Sequence, residues 1–291
     1  MVNWRQIFCA SLLFVGAGLS IVSLYGVITN PYDRPDGAVS ASATIKKIDI
    51  AWKRRQQGEL EHWEFLQRAT WAYAEGIRYI WPKDQARIAL WDNWVLWSMA
   101  YLDEVVAGLG LTNVDSLFSV YESIDYRRAL ARGYGICSQN ALGLASLLEW
   151  RYGVDADVIG LDGHVVVEAH GFLLDPSVGL AMPFSLAEAE RREARNGEIS
   201  EIYAEAFESD QVARVYGQRG DLENVTPFAE LGQFYDSSGN DRIDGVEGYR
   251  SKVYWVERAS AWLKWILPML MVLLGSLGLC RSKRPIGVAR P

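Results

Sequence analysis

Hydrophobic residues are distributed along this chain in three distinct ways. Residues 7–29, "IFCASLLFVGAGLSIVSLYGVIT", form a run of 23 residues without a charge, and "WILPMLMVLLGSLGLC" near the other end gives 16 more. The first is long enough to cross the ~30 Å hydrocarbon layer as a helix, and the second becomes so if Lys264 in the preceding "ASAWLK" snorkels to the interface. Between them the pattern is periodic. From about 45 to 79 it is helical, with Trp63, Leu66, Ala69, Thr70 and Tyr73 at three- and four-residue steps and Pro82 closing the region. "ALWDNWVLWSMAYLDEVVAG" (89–108) is helical again, and Trp91, Trp94 and Trp97 at steps of three share a face that we assign to core packing.

The middle of the chain changes element type most sharply. Gly133 and Gly135 break the helical "DYRRALARG", and from Cys137 a new helix places Ala141, Leu144, Ala145 and Leu148 on one face until Gly153 stops it. "VDADVIGL", "HVVVEAH" and "FLLDPS" then read as three short strands, turned at Gly163 and Gly171. Ser185 with Glu188 forms a capping-box signature for the next helix, and Asn196-Gly197 ends it. Acidic helices and loops follow to about 250, and "DSSGNDRIDG" (236–245), which lacks EF-hand spacing, reads as a loop.

These patterns divide the chain into a cytoplasmic N-terminus (1–6), a transmembrane helix (7–29), a linker (30–44), a helical N-terminal part (45–132), a central core (133–180), a helical C-terminal extension (181–258), a second transmembrane helix (259–280) and a basic cytoplasmic tail (281–291). The first apolar run exceeds a usual signal-peptide core and is not followed by a small-x-small cleavage site, so we read a retained anchor. Arg281, Lys283 and Arg284 place the C-terminus inside, and two spans then place both termini inside and the intervening domain outside.

Charge and cysteine content restrict the function of that domain. The chain has a formal charge of −7, but residues 31–258 carry 23 basic against 36 acidic side chains, a net of −13 that repels nucleic acid. Cys9 and Cys280 fall in the apolar runs, so Cys137 stands alone in the domain and forms no disulfide there. A helix N-terminus favours a thiolate, an imidazole stabilises it, and a carboxylate orients the imidazole. His164 opens one strand and Asp175 closes the next. With the hairpin turn near Ala169 to Gly171 they fall almost opposite each other, and a one-residue slip would separate their faces. His170, Asp162 and Glu168 are the rivals, and His62 reads as a solvated or hydrogen-bonded surface histidine.

"GYGICSQNALGLASLLEWRYGVDADVIGL", "GHVVVEA" and "FLLDPSVG" resemble the core of the transglutaminase-like superfamily, in its bacterial membrane-anchored branch. The resemblance covers about 50 residues: a Gly-x-Cys at a helix start, a Gly-His before a strand, and a strand ending in Asp-Pro. It implies an α+β fold with a papain-like core, in which a helix carrying the cysteine packs on a short antiparallel sheet. It also implies Cys137 as nucleophile, His164 as base and Asp175 as orienting acid. The backbone N–H of Cys137 is one candidate oxyanion donor, with Gln139 and Tyr134 as others. The expected activity is cysteine-dependent acyl transfer or amide hydrolysis on a protein, peptide or other amide substrate. No cofactor or metal is expected, and the expected location is a bacterial inner membrane with the domain facing the periplasm or exterior. The competing expectation is a membrane-anchored binding or assembly protein of cell-surface polymer synthesis or export that retains the fold without turnover.

Overall fold

A computed structural model describes residues 4–29, 39–79, 88–110, 122–208, 231–236, 239–243, 245–248 and 254–282. Pro82, residues 30–38 of the linker and Lys283 and Arg284 of the basic tail lie outside these. The chain divides into two units, one of Met1–Tyr32, Ala86–Tyr121 and Lys252–Pro291 and the other of Asp33–Gln85 and Glu122–Ser251.

The second unit is a mixed α and β body. Its N-terminal helical region is two helices, α2 (Ala41–Gln56) and α3 (His62–Gly76), the latter opened by a Glu61/Glu64 capping box. After β1 (Arg78–Tyr79), helix α5 (Tyr126–Arg132) leads into β2 (Tyr134–Gly135), which pairs in parallel with β1 and fixes the entry to α6 (Cys137–Tyr152). Then come β3 (Ala156–Gly160), β4 (Val165–Ala169), β5 (Phe172–Asp175) and β6 (Leu180–Met182). Helices α7 (Leu186–Asn196) and α8 (Glu198–Glu208), a 3-10 turn at Gly232–Asp236, β7 (Asp241–Ile243) and the one-turn α9 (Gly245–Gly248) are the further elements among its described residues.

Five strands form an antiparallel sheet in the order β6-β5-β4-β3-β7. Alternation along the strands buries both faces. Ile159, Val166 and Leu173 join Leu186, Ala189, Ile199, Tyr203 and Tyr235 in one apolar cluster, while Val158, Val167 and Leu174, pointing the other way, are equally buried. Helix α6 packs along β3 and β4. β7 corrects the loop reading of 236–245. Asp241 and Arg242 are exposed, so this strand has no apolar alternation to betray it, and it is held by pairing to β3. The helix after Ser185 begins and ends where the pattern places it, but Ser185 makes no side-chain cap bond. Glu168 accepts from Leu186 N (2.8 Å) instead, and Glu188 pairs with Arg191 and Arg192.

The described residues of the first unit form three helices, α1 (Trp4–Ile28), α4 (Trp94–Gly108) and α10 (Tyr254–Ser282). Helices α1 and α10 are each long and apolar enough to cross a membrane. They pack antiparallel: Gly275 and Gly278 lie against Cys9, Gly16 against the Pro268 carbonyl, and Ser23 donates to Lys264 O (3.2 Å). Small residues at these contacts let the two backbones approach closely. Lys264 does not snorkel outward. It is 9% exposed, and its Nζ donates to Asp92 O (2.8 Å). The three tryptophans are not core either: Trp91 and Trp97 are exposed, Trp94 is half-buried, and the buried member of the helix is Leu96. Three-residue spacing places aromatics on one side of a helix without specifying what that side meets.

Candidate functional site

The site is assembled by the chain's tightest local turns. Gly135 precedes the cysteine by two residues, and a Cβ there would stand 2.7 Å from Gln139 Cγ, so a side chain is excluded where the strand folds back on the first turn of α6. Cys137 is the first residue of that helix. Ile136 before it carries no polar atom and provides no side-chain cap, which leaves the N-terminal amides available to a bound anion or oxyanion. Gly163 has φ +112°, and its Cα faces the Phe234 ring, so this turn into His164 also requires glycine. His164 then closes the β3–β4 hairpin by backbone bonds with Leu161.

His164 and Asp175 meet across the next hairpin. Ala169 pairs with Phe172, leaving His170 (φ 52°) and Gly171 (φ 79°) as a two-residue turn. Continued outward, this register sets Asp175 against Val166, so His164 lies diagonally across from it. The turn lies within the expected Ala169 to Gly171, and the two residues are diagonal where almost opposite positions were expected. A two-residue offset in pairing preserves the face. His164 Nε2 stands 2.8 Å from Asp175 Oδ2, with the two side chains 2% and 0% exposed. Tyr203 donates to the same Oδ2 (2.7 Å), and Ser177 N donates to Oδ1 (2.9 Å). An ionised carboxylate only accepts, so Nε2 carries the proton in this pair and Nδ1 is left for Cys137, whose thiol interacts with the ring from the other side. Cys137 itself is partly exposed.

The electrostatics follow from this enclosure. Burial alone would lower the pKa of His164, but the charge and hydrogen bond of Asp175, with a contribution from Cys137, raise it from 6.5 to about 10. Burial would likewise raise that of Asp175, and His164, Tyr203 and the Ser177 amide together hold it below the usual carboxylate range. Tyr203 is pushed well above the ordinary phenol range by burial first and by Asp175 and Tyr235 next. Its single proton is committed to Asp175, so Tyr235, 3.2 Å away, donates to it.

The remaining sequence candidates are occupied elsewhere. Gln139 uses both ends of its amide on Ser123, accepting from N (2.7 Å) and donating to O (2.8 Å), and Ser138 donates to Glu122, so these side chains tie segment 122–124 to α6. Tyr134 is buried near the Arg132 guanidinium. Glu168 holds Leu186 N and Arg242, and Asp162 is exposed. His170 is exposed at the turn, with its ring 4.4 Å from that of His62. His62 is therefore not the simple surface histidine expected. Desolvation, then Arg55 and His170, lower its pKa to about 4, so it is neutral at physiological pH.

Tyr203 and Tyr235 went unnoticed in the sequence. Ile199 and Tyr203, one turn apart in α8, mark an apolar stripe, but nothing local connects it to Asp175 28 residues earlier. Among the described residues no three His, Cys, Asp or Glu side chains converge on a cation site. The arrangement joins a partly accessible thiol at an uncapped helix start to a buried, cationic imidazole held by a carboxylate with three hydrogen bonds. Compared with known proteins, the chain matches no family model, no curated protein and no solved structure.

Proposed function

We propose that this protein is a membrane-anchored, transglutaminase-like cysteine enzyme that performs acyl transfer or amide hydrolysis through Cys137, His164 and Asp175. The observation that carries the proposal is the 2.8 Å contact between His164 Nε2 and Asp175, buried, with the other face of the imidazole turned to a partly exposed thiol at a helix N-terminus. A buried structural cysteine has no use for such a partner. An imidazolium beside a thiol favours the thiolate, and Asp175 favours the imidazolium.

In the proposed reaction the Cys137 thiolate adds to the carbonyl carbon of an amide, and the carbonyl π pair moves to oxygen. The Cys137 backbone N–H, at the start of α6, is the candidate donor for that oxyanion. The tetrahedral adduct collapses as the C–N bond breaks and His164 Nδ1 delivers its proton to the leaving amine, leaving a thioester. An amine or water then loses a proton to Nδ1 as it attacks the thioester carbon, and the thiolate departs. Which nucleophile arrives decides between a new amide and a free acid, and the substrate is a protein, peptide or other amide compound. Nucleic acid is disfavoured by the acidic domain.

Helices α1 and α10 anchor this chemistry in the proposal. Their antiparallel packing brings Arg5 and Arg281 to the same end, the distribution expected of a cytoplasmic face, which supports a bacterial inner-membrane protein with its domain facing the periplasm or cell exterior. The test is alkylation of Cys137 by iodoacetamide in the full-length protein. The rate should change little between about pH 6 and 8, and His164→Ala should restore the steep rise with pH of an ordinary thiol. Equal and slow labelling in both proteins would refute the proposal. Cys137→Ala should abolish turnover of any amide substrate found, with the melting temperature unchanged.

A further inference from the structure

Helix α4 exposes one broad apolar side that no described residue outside the helix covers. Its sequence, "WVLWSMAYLDEVVAG", carries no charge before Asp103, yet Leu96 is its one buried residue. Leu96 turns toward Ile88 and Val256. Trp97, Tyr101, Val105 and Leu109 continue along the uncovered side at about one-turn spacing, with Met99 and Leu102 beside them, and all six are exposed. An apolar helix of this kind is normally buried in a core or in lipid, and the first is excluded here by its exposure. At 15 residues it is about 22 Å long and too short to cross a bilayer.

The attachments of α4 identify its surroundings. Asn93 Oδ1 caps Leu96 N (3.2 Å), and its Nδ2 donates to Ser260 Oγ of α10 (2.9 Å). Trp94 Nε1 donates to Lys264 O (3.2 Å), and Lys264 Nζ donates to Asp92 O. The Trp91 ring meets the Tyr25 ring of α1 edge-on at 5.7 Å, and Gly26 lies tight against the Trp91 carbonyl. All these contacts gather at one level, near the C-terminal end of α1 and the N-terminal part of α10, the end opposite Arg5 and Arg281. With α1 and α10 read as spans, these bonds hold the start of α4 at the height where both leave the hydrocarbon, and α4 and the two long helices each carry exposed apolar side chains. Tryptophan and tyrosine side chains are enriched at that height.

We infer that α4 is an interfacial membrane helix, lying along the leaflet on the domain side with its Trp97, Tyr101, Leu102 and Val105 face in the boundary between headgroups and acyl chains. The inference rests on reading α1 and α10 as spans. Its partner is the lipid surface, and the Asn93–Ser260 and Lys264–Asp92 bonds set the angle at which the helix leaves the pair.

The test uses the full-length chain in lipid nanodiscs, with Cys9, Cys137 and Cys280 replaced by Ala and an environment-sensitive fluorophore attached at Leu102→Cys, Val105→Cys, Phe14→Cys or Trp150→Cys in turn. Nitroxide lipids labelled near the headgroup or deep in the chain act as quenchers. The fluorophore at 102 or 105 should lose roughly half its emission to the shallow quencher and clearly less to the deep one, the order expected at an interfacial depth. That at 14, in the middle of α1, should show the reverse order, and that at 150 gives the reference reading of an exposed site in the sheet unit. Quenching at 14 without quenching at 102 and 105 would leave the spans standing and overturn the interfacial helix. Stronger deep than shallow quenching at 102 and 105 would overturn it as well. An unquenched fluorophore at 14 would sink the spans and this inference together.

Discussion

Around the sheet, Phe65, Leu142, Val166 and Leu174 are sealed from solvent, whereas in the helical unit Ile21, Leu24, Met269 and Leu273 face outward and Ser23, Asn93, Ser260 and Lys264 lie inside. Both units therefore bury polar groups, but in different roles. In the sheet unit the buried polar groups, among them Arg132, Glu168 and the His164–Asp175 pair, are a minority set in an apolar core. In the helical unit the inward polar groups bond helix to helix, and the apolar side chains form the outer surface. Water as the only solvent explains the first arrangement and not the second. The second is the arrangement expected of α1 and α10 as membrane spans, because in an apolar solvent polar groups must find partners within the protein.

The comparison is most exposed to failure at the charge pair. Asp175→Ala leaves a buried imidazole without its counter-ion and two donors, Tyr203 OH and Ser177 N, without an acceptor, so it should destabilise the protein by about 3–5 kcal/mol. The loss should depend on pH. His164 is raised in the folded state, so its contribution is complete below its ordinary value of 6.5 and is lost as pH rises through about 10. Asp175 is depressed, so its contribution is complete above its ordinary value of 3.8 and is lost as pH falls through its lower folded value. Denaturant melts of wild type and variant should differ most between pH 3.8 and 6.5 and converge toward pH 10. A gap that is constant with pH would show that the pair is not charged, and the two units would then differ less than argued above.

What the sequence revealed of this contrast follows from how local each signal is. The apolar runs that became α1 and α10, the helix start at Cys137 and the stops at Gly153 and Gly197 rest on neighbouring residues and were readable directly. His164 and Asp175 were readable as partners because a short hairpin joins them, its turn falls within Ala169 to Gly171, and a diagonal pairing keeps the shared face of a direct one. β7 was not readable, because a three-residue polar edge strand owes its existence to β3, more than 80 residues earlier. The Trp91, Trp94 and Trp97 pattern was readable as a helix, but periodicity says only that one side is apolar, not whether it meets protein or lipid. Tyr203 and Tyr235 reach Asp175 through the packing of α8 and the 3-10 turn on the sheet, a tertiary fact with no local signature.

Those two tyrosines sharpen the comparison at a smaller scale. Tyr203→Phe removes a hydrogen bond to an ionised carboxylate while keeping the ring in the core, and should cost about 1.5–3 kcal/mol. Tyr235→Phe removes a neutral hydroxyl pair and should cost about 0.5–1.5 kcal/mol. A purely structural tyrosine would change stability alone. Here Tyr203→Phe should also raise the pH at which His164 loses its proton, seen by NMR titration of the imidazole, because Asp175 without the phenol donor is a stronger acceptor for Nε2. An unchanged titration would reduce Tyr203 to core packing.

The smallest expected effect lies on the outer surface of the helical unit. Had Trp97 been a core residue, as its spacing with Trp91 and Trp94 suggests, Trp97→Ala would cost about 3–5 kcal/mol. It is 39% exposed, and its main protein contact is a stacked pair with Tyr101 at 5.7 Å. Truncation should therefore cost about 1 kcal/mol or less in unfolding of the detergent-solubilised chain. Leu96, the adjacent residue, is fully buried against Ile88 and Val256, so Leu96→Ala should cost more than Trp97→Ala despite the smaller side chain removed. The order of the two is the decisive measurement. If Trp97→Ala proves the more destabilising, the outer face of α4 is packed against protein, and the helical unit is sorted for the same solvent as the sheet.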